Sequence, residues 1–250
     1  TVFTKSAGSG LAQVMISRRT LAQILEASRS LHSSGSLSPA ALLALTKHLE
    51  SRKVAHSAET GTGMSTVVFS HLSEHHSVFT VNADQSMSAV QRSPLLAPDT
   101  VTFIEGPTQK TLPCHVFDAP LQAVLIDGPH AYPFPDLEYF YLYPHLEEGG
   151  LLVLDDIHIP SIHNLFAFLR RDAMFRLEDV CGRTAFFRRT SAPLFEPWGD
   201  GWWLQGFNRR TLWRHSWQDK LKSALPARWR PVLRRYADRV RLHFWGKGLP

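Results

Sequence analysis

The sequence predicts an α/β fold: a mostly parallel seven-stranded sheet with helices on both faces and a C-terminal antiparallel hairpin. Three observations predict it. Short apolar runs with branched residues, at 54–58, 121–126 and 151–154, alternate with helical stretches, the pattern of strands buried on both faces. Each run ends in acid, at Glu59, Asp127 and Asp155-Asp156. Finally, 175–180 and 184–189 follow one another with only Cys181-Gly182-Arg183 between them, which is a hairpin and not a crossover.

Residues 1–18 show no clear period. From Thr20, read as an N-cap, Leu21, Ile24, Leu25 and Leu31 recur at helical spacing. After a Ser/Gly loop at 33–38, Ser38 caps a second helix with Pro39 at its first position, running to about Leu49. Residues 1–50 are thus a helical lid or packing segment ahead of a core at 51–190. The first strand runs into Glu59-Thr60-Gly61-Thr62-Gly63-Met64-Ser65-Thr66, where the glycines permit a tight turn close to a ligand and the next helix presents N–H groups. A dinucleotide fingerprint wants a third glycine at position 66; Thr66 there argues against NAD.

A helix at 64–73 leads to a strand at 78–81 and then Asn82-Ala83-Asp84-Gln85, where either Asn82 or Asp84 is placed to meet ribose hydroxyls. His71, His75 and His76 read as the solvated end of a surface helix. The strand at 101–104 ends in Glu105-Gly106-Pro107, with Glu105 either near an adenine or merely part of the turn. The strand at 121–126, a helix at 135–146, a turn at 147–150 and the strand at 151–154 form one parallel crossover unit. That unit brings Asp127, Asp155 and Asp156 to one edge of the sheet, where open α/β sheets bind ligands. A helix at 160–172 follows, with His163 read as a packing residue inside it; His158 faces the cleft in this reading, and Tyr132 lines a substrate pocket.

Composition narrows the function classes. Of 27 Lys and Arg and 22 Asp and Glu, residues 209–250 hold 12 basic and 2 acidic, so the body is acidic and the tail basic. An acidic body is not expected to bind nucleic acid; the tail reads as a local docking surface. Two cysteines, Cys114 and Cys181, fit neither a disulfide framework nor metal-type spacing, and read as core thiols in a reducing, cytoplasmic setting. No apolar run approaches the roughly 20 residues that span a bilayer. The chain opens on Thr1, without a secretory apolar core behind it.

Together the turn E-T-G-T-G-M-S-T and the pair I-D-G-P-H-A-Y and L-E-E-G-G-L-L-V-L-D-D resemble a class I S-adenosylmethionine-dependent methyltransferase. More narrowly, they resemble the small-molecule O-methyltransferases of the macrocin and mycinamicin type and the bacterial methyltransferase family 24. The resemblance covers about residues 54–189 and implies a Rossmann-like core. It implies S-adenosylmethionine as cofactor, with Glu59, Gly61 and Gly63 at its methionine part, Thr62, Ser65 and Asp127 also among the residues that bind it, Asn82 or Asp84 at the ribose and Glu105 near the adenine. It further implies Asp127, Asp155 and Asp156 as ligands of a divalent ion, usually magnesium, and His130 as base beside Asp127. Asn82 departs from the acid usual at the ribose position.

The chemistry is consistent on physical grounds. A hydroxyl needs a metal or a base to shed its proton, and carboxylates suit the oxygen-preferring magnesium ion. Adjacent strand residues point to opposite faces, however, so Asp155 and Asp156 can share one ion only if the strand has ended between them. Without a metal, the acids would hold the cofactor or cap loops. The expected activity is O-methylation of a small molecule or glycan. The alternatives are a non-methylating, hydroxylase-like relative on the same scaffold, and a scaffold or docking module of a biosynthetic assembly.

Residues 191–208 read as an aromatic loop with Trp198, Trp202 and Trp203. Residues 209–250 read as a basic amphipathic helical tail with Trp213, Trp217 and Trp229 among arginines, suited to packing on the body, a second subunit, or the inner face of an anionic membrane.

Overall fold

The computed structural model describes residues 15–30, 37–82, 85–195 and 205–208. The chain divides into two compact units, Thr1–Trp198 and Gly199–Pro250. Of the second unit only 205–208 are described, so residues 196–204 of the expected aromatic loop, with all three of its tryptophans, and all of the basic tail lie outside the described residues, as does Asp84.

Two helices, α1 (Arg18–Ser30) and α2 (Pro39–Glu50), precede β1 (Val54–Thr60). The chain continues through α3 (Met64–Leu72), β2 (Ser73–Thr80), α4 (Ser86–Gln91), β3 (Val101–Glu105) and a short α5 (Thr108–Thr111). Then come β4 (Leu121–Ile126), α6 (Phe134–Leu142), β5 (Leu146–Leu154), α7 (Pro160–Leu169), β6 (Phe175–Cys181) and β7 (Thr184–Arg189). The strands form one seven-stranded sheet in the order β3-β2-β1-β4-β5-β7-β6. β1 to β5 pair in parallel, and β7 pairs antiparallel with both β5 and β6. The predicted hairpin is thus present, with its second strand inserted beside β5.

Alternation along the central strands explains their unbroken apolar composition. Val124, Ile126, Leu152 and Leu154 face the layer of α6 and α7, whereas Ala123, Leu125, Leu151 and Val153 face α1, α2 and α3. Each fully buried Leu, Ile or Val contributes roughly 1.5–3 kcal/mol of transfer free energy. Leu42 and Leu45 of α2 and Ile24 of α1 are completely buried in this layer, so both helices pack as part of the core.

Several elements differ from expectation for identifiable reasons. α1 begins earlier, because Ser17 Oγ, and not Thr20, accepts the Thr20 N–H at 3.0 Å. β2 starts at Ser73, so His75 and His76 belong to a strand, and His76 is buried with its ring stacked on Phe69 at 4.4 Å. β5 starts at Leu146, with the glycines of 147–150 absorbed into the ladder by a register shift opposite Leu121 and Ala123. His163 is exposed on α7, and Cys114, expected in the core, is exposed while Cys181 is half-buried. Among the described residues no helix is long and apolar enough to cross a membrane.

The start of α2 follows its sequence signal: Ser38 is extended and its side chain accepts from the Ala41 N–H at 3.2 Å, with Pro39 behind it. Ser38→Ala removes about 1 kcal/mol, and thermal unfolding should fall by about 2–4 °C.

Candidate active site

The sheet reverses its winding between β1 and β4, and both strands end at the same level: Thr60 pairs with Ile126, so Gly61 and Asp127 leave the sheet side by side. Gly61 has φ +84, and a Cβ there would lie 2.3 Å from the Asp127 carbonyl oxygen. Glycine is therefore required twice over, by backbone conformation and by space. The Gly61 N–H is already engaged with the Phe79 carbonyl at 2.9 Å, and the Gly63 N–H with Thr66 Oγ1 at 3.1 Å.

Thr66, standing where a third glycine was lacking, is a pin. Its hydroxyl donates to Glu59, and the same oxygen receives the Gly63 N–H and lies 3.2 Å from Thr62 Oγ1. Glu59 is fully buried, with His76 Nε2 at 3.2 Å from its Oε1. The imidazole in turn meets Ser57 Oγ through Nδ1 at 2.7 Å. Glu59 thus braces the glycine turn from beneath and does not line the cleft.

That cleft, about 390 Å³, is lined from the β1 side by Gly61 and Thr62, from β2 by Phe79, Thr80 and Val81, and from beyond β3 by Gly106, Pro107, Thr108 and Gln109. Asp127, Gly128, Pro129, His130, Ser86 and Phe134 complete it. The volume lies in the range of small-molecule sites.

At its mouth, one oxygen or nitrogen atom from each of Asp127, His130 and Asp156 falls within 4.8 Å of the others. His130 Nε2 is 3.6 Å from Asp127 Oδ1 and 3.7 Å from Asp156 Oδ2. Burial pushes the Asp127 carboxyl up to about 8, and the charges of Asp155 and Asp156 add to it against the opposing pull of His130, although 15% of the side chain stays exposed. The pairing with Asp127 raises the His130 imidazole above its ordinary value, against its partial burial.

The strand ends at Leu154, and Asp156 takes the left-handed φ of +51, which turns the two neighbouring acids apart. Asp155 accepts from the Thr184 hydroxyl of β7, and burial raises its pKa. Asp156 turns to the cleft mouth, where His158 Nδ1 and Arg183 Nε each stand 3.5 Å from its Oδ1, an oxygen that is buried and makes no hydrogen bond. Of the expected trio, Asp127 and Asp156 fall in one cluster with His130, while Asp155 is engaged by Thr184 of the hairpin.

Of the expected cofactor residues, Gly61, Thr62 and Asp127 line the cleft, while Glu59, Gly63 and Ser65 support the turn behind it. The Asn82 side chain is tied to α4 through Ser88, by 2.9 and 3.2 Å contacts, and Glu105 is exposed at the end of β3, with its neighbours Gly106 and Pro107 in the cleft wall. Tyr132 is 73% exposed and stands outside the lining. Sequence reasoning missed Ser86, Gln109 and Glu138. Glu138 had a signal: with Pro135, Tyr139 and Leu142 it forms the buried i, i+3, i+4, i+7 stripe of α6, so an acid stands on an apolar face.

Residues 58–157 match the methyltransferase 24 family model, described as a methyltransferase domain; the span runs from β1 to just past β5. No curated protein sequence matches the chain. Among solved structures, the O-methyltransferase TomG of Streptomyces achromogenes, involved in tomaymycin synthesis and in complex with SAM, aligns with a TM-score of 0.54 at 16% identity, over 71% of this chain and 92% of that one. An O-methyltransferase from Bacillus cereus in complex with SAH gives 0.51 at 14% identity, over 71% and 93%. Cofactor-bound Rv0187 from MTB gives 0.54 at 17% identity, over 69% and 90%. At these identities the likeness shows the fold, and the narrower similarity to macrocin-type enzymes rests on the motifs alone.

Two outcomes follow from the geometry. Gly61→Ala forces a clash with the Asp127 backbone and should leave the protein destabilised, with its melting temperature down by more than about 2 °C. Asp127 has its pKa raised on folding, so the folded state holds a proton that the unfolded chain has lost, and stability falls as pH rises from about 4 through about 8. Asp127→Asn, which carries no charge to bury, should therefore melt higher than the parent at pH 8 by about 2 °C or more, with the gap closing toward pH 4.

Proposed function

We propose that this chain is a class I S-adenosylmethionine-dependent methyltransferase, a reading that its match to the methyltransferase 24 family model over residues 58–157 supports, and that it methylates a hydroxyl oxygen of a small molecule or glycan, with His130 as base and Asp127 and Asp156 as the seat of a magnesium ion. The observation that carries this reading is the meeting of two carboxylates and an imidazole at the mouth of the same cleft that the Gly61 turn lines. The oxygen-methylating descriptions of TomG and the Bacillus cereus protein support an oxygen acceptor.

S-adenosylmethionine supplies an electrophilic methyl carbon, and the transfer asks chiefly for alignment of that carbon with the attacking oxygen. The cleft residues suit it: Gly61 and Thr62 bring backbone close at the β1 end, and Phe79, Val81, Gly106 and Pro107 give an apolar wall of the kind an adenine ring packs on. Asp127 belongs to both halves of the site, lining the cleft and facing His130.

A divalent ion at the acids would supply positive charge that eases deprotonation of an acceptor hydroxyl. The residues fit such an ion: Asp127 Oδ1 and Asp156 Oδ2 both face His130 Nε2, at 3.6 and 3.7 Å, and Asp127 carries a carboxyl whose charged form is under-compensated. Magnesium prefers oxygen donors, so the two carboxylates would hold it and leave His130 for the proton. His130 is raised by its acidic neighbours and is cationic at lower pH; it serves as base only once deprotonated, so the rate rises with pH.

Calorimetry with S-adenosylmethionine, repeated with magnesium and with a chelator, tests the reading together with transfer of labelled methyl groups to catechol and simple glycosides. Saturable cofactor binding and chelator-sensitive transfer are expected. Absence of cofactor binding overturns the reading, and transfer indifferent to chelator removes the metal. His130→Ala should lower transfer by about 10²–10⁴-fold and abolish the alkaline rise of the rate. Manganese binding, read by electron paramagnetic resonance, should be lost in Asp156→Asn and kept in Asp155→Asn.

A further inference from the structure

Glu138 is 1% exposed on α6, directly behind the loop that carries Asp127 and His130. Among the described residues no Lys or Arg pairs with it, and burial pushes its carboxyl up to about 7. An apolar side chain on that buried stripe would pack without this penalty, so packing does not explain the acid. Its partners do. Thr60, the last residue of β1, donates its hydroxyl to Glu138 Oε2 at 2.7 Å and accepts the Asp127 N–H on the same oxygen at 3.1 Å. Since that hydroxyl receives the amide hydrogen, its own hydrogen must go to an acceptor, and Glu138 is the acceptor present. The carboxylate also fills the space beside Gly128, where a Cβ would come within 2.0 Å of Oε1, and the Gly128 N–H favours its ionised form.

We propose that Glu138 is the positioning residue of this site: acting through Thr60, it locks the Asp127–His130 loop to the end of β1, so that the glycine turn and the acid–imidazole cluster are held as one piece. The lock stands on geometry, and its purpose rests on the proposed methyl transfer. Glutamine keeps an oxygen able to accept from Thr60 but sets a neutral NH₂ group in place of the second oxygen, Oε1, which lies against Gly128 and makes no hydrogen bond of its own. Asp127, Gly128, Pro129 and His130 all line the cleft, so loosening this loop reaches cofactor binding directly.

The test uses the full chain, with S-adenosylhomocysteine as calorimetric probe and amide hydrogen exchange at Asp127 and Gly128 as a ligand-free readout. Thr60→Val leaves every charge in place and removes only the bridging hydroxyl. It and Glu138→Gln should each weaken the probe about tenfold, as expected for a hydrogen bond to a charged group. The double variant should stay near about 20-fold and not the roughly hundredfold of two independent losses. Thr60→Ser should restore binding to within about threefold, which a generally weakened core would not do. Exchange at Asp127 should quicken in Thr60→Val and recover in Thr60→Ser.

Binding and exchange at parental levels in Thr60→Val overturn the lock, as does faster exchange without any loss of binding. Additive losses in the double variant overturn the path through Thr60. Should Glu138→Gln fail to fold, the Thr60→Val and Thr60→Ser pair decides. If the parent itself does not bind the probe, the methyltransferase reading falls, and unaltered Asp127 exchange in Thr60→Val would still sink the lock separately.

Discussion

The parallel register between β1 and β4 is the constraint on which the rest of this structure depends. Ser57 to Thr60 pair with Ala123 to Ile126 in unbroken order, and one step later the chain has room for nothing larger than hydrogen between Gly61 and the Asp127 carbonyl. A slip of one residue would send Val124 and Ile126 to the wrong layer and part the glycine turn from the acid loop. The apolar layers on both faces therefore do more than stabilise: they hold the two strand ends level, and the site exists because they are level.

Where sequence signals were purely apolar or purely conformational, they translated well. β4 and β7 lie where alternation and turn residues put them, and Ser38-Pro39 starts α2. Legibility failed where polar residues are buried. Glu59 and Thr60 look like the loop after a strand, yet both are fully buried members of β1. His75 and His76 look like a frayed helix end, yet a stacked Phe69 and a hydroxyl from Ser57 make His76 a core residue. A sequence shows that a side chain is polar; it does not show whether the fold provides it with partners.

The site was legible in kind and not in orientation. That acids and a histidine gather after β4 and β5 follows from topology, and they do gather. Which of Asp155 and Asp156 joins them depends on the sign of one backbone angle, φ +51 at Asp156, and on a threonine 29 residues away that claims Asp155. Neither is written locally. Glu138 was legible in principle as an acid on an apolar helical stripe, but its meaning appears only with Thr60 beside it.

The electrostatics of the cluster are unequal. Asp156 has three groups able to carry positive charge nearby, His130, His158 and Arg183 at 3.5–3.7 Å, all on the solvent side. Asp127 has His130 alone, with buried carboxylates at Asp155 and Asp156 pressing against it. A proton held at about pH 8 is how the empty-handed side of this pair balances its charge. Positive charge brought to the cluster from outside is thus felt most at Asp127, which also lines the cleft. Its neighbour His130 is raised by the same carboxylates, so positive charge arriving there lowers the proton affinity that they raise.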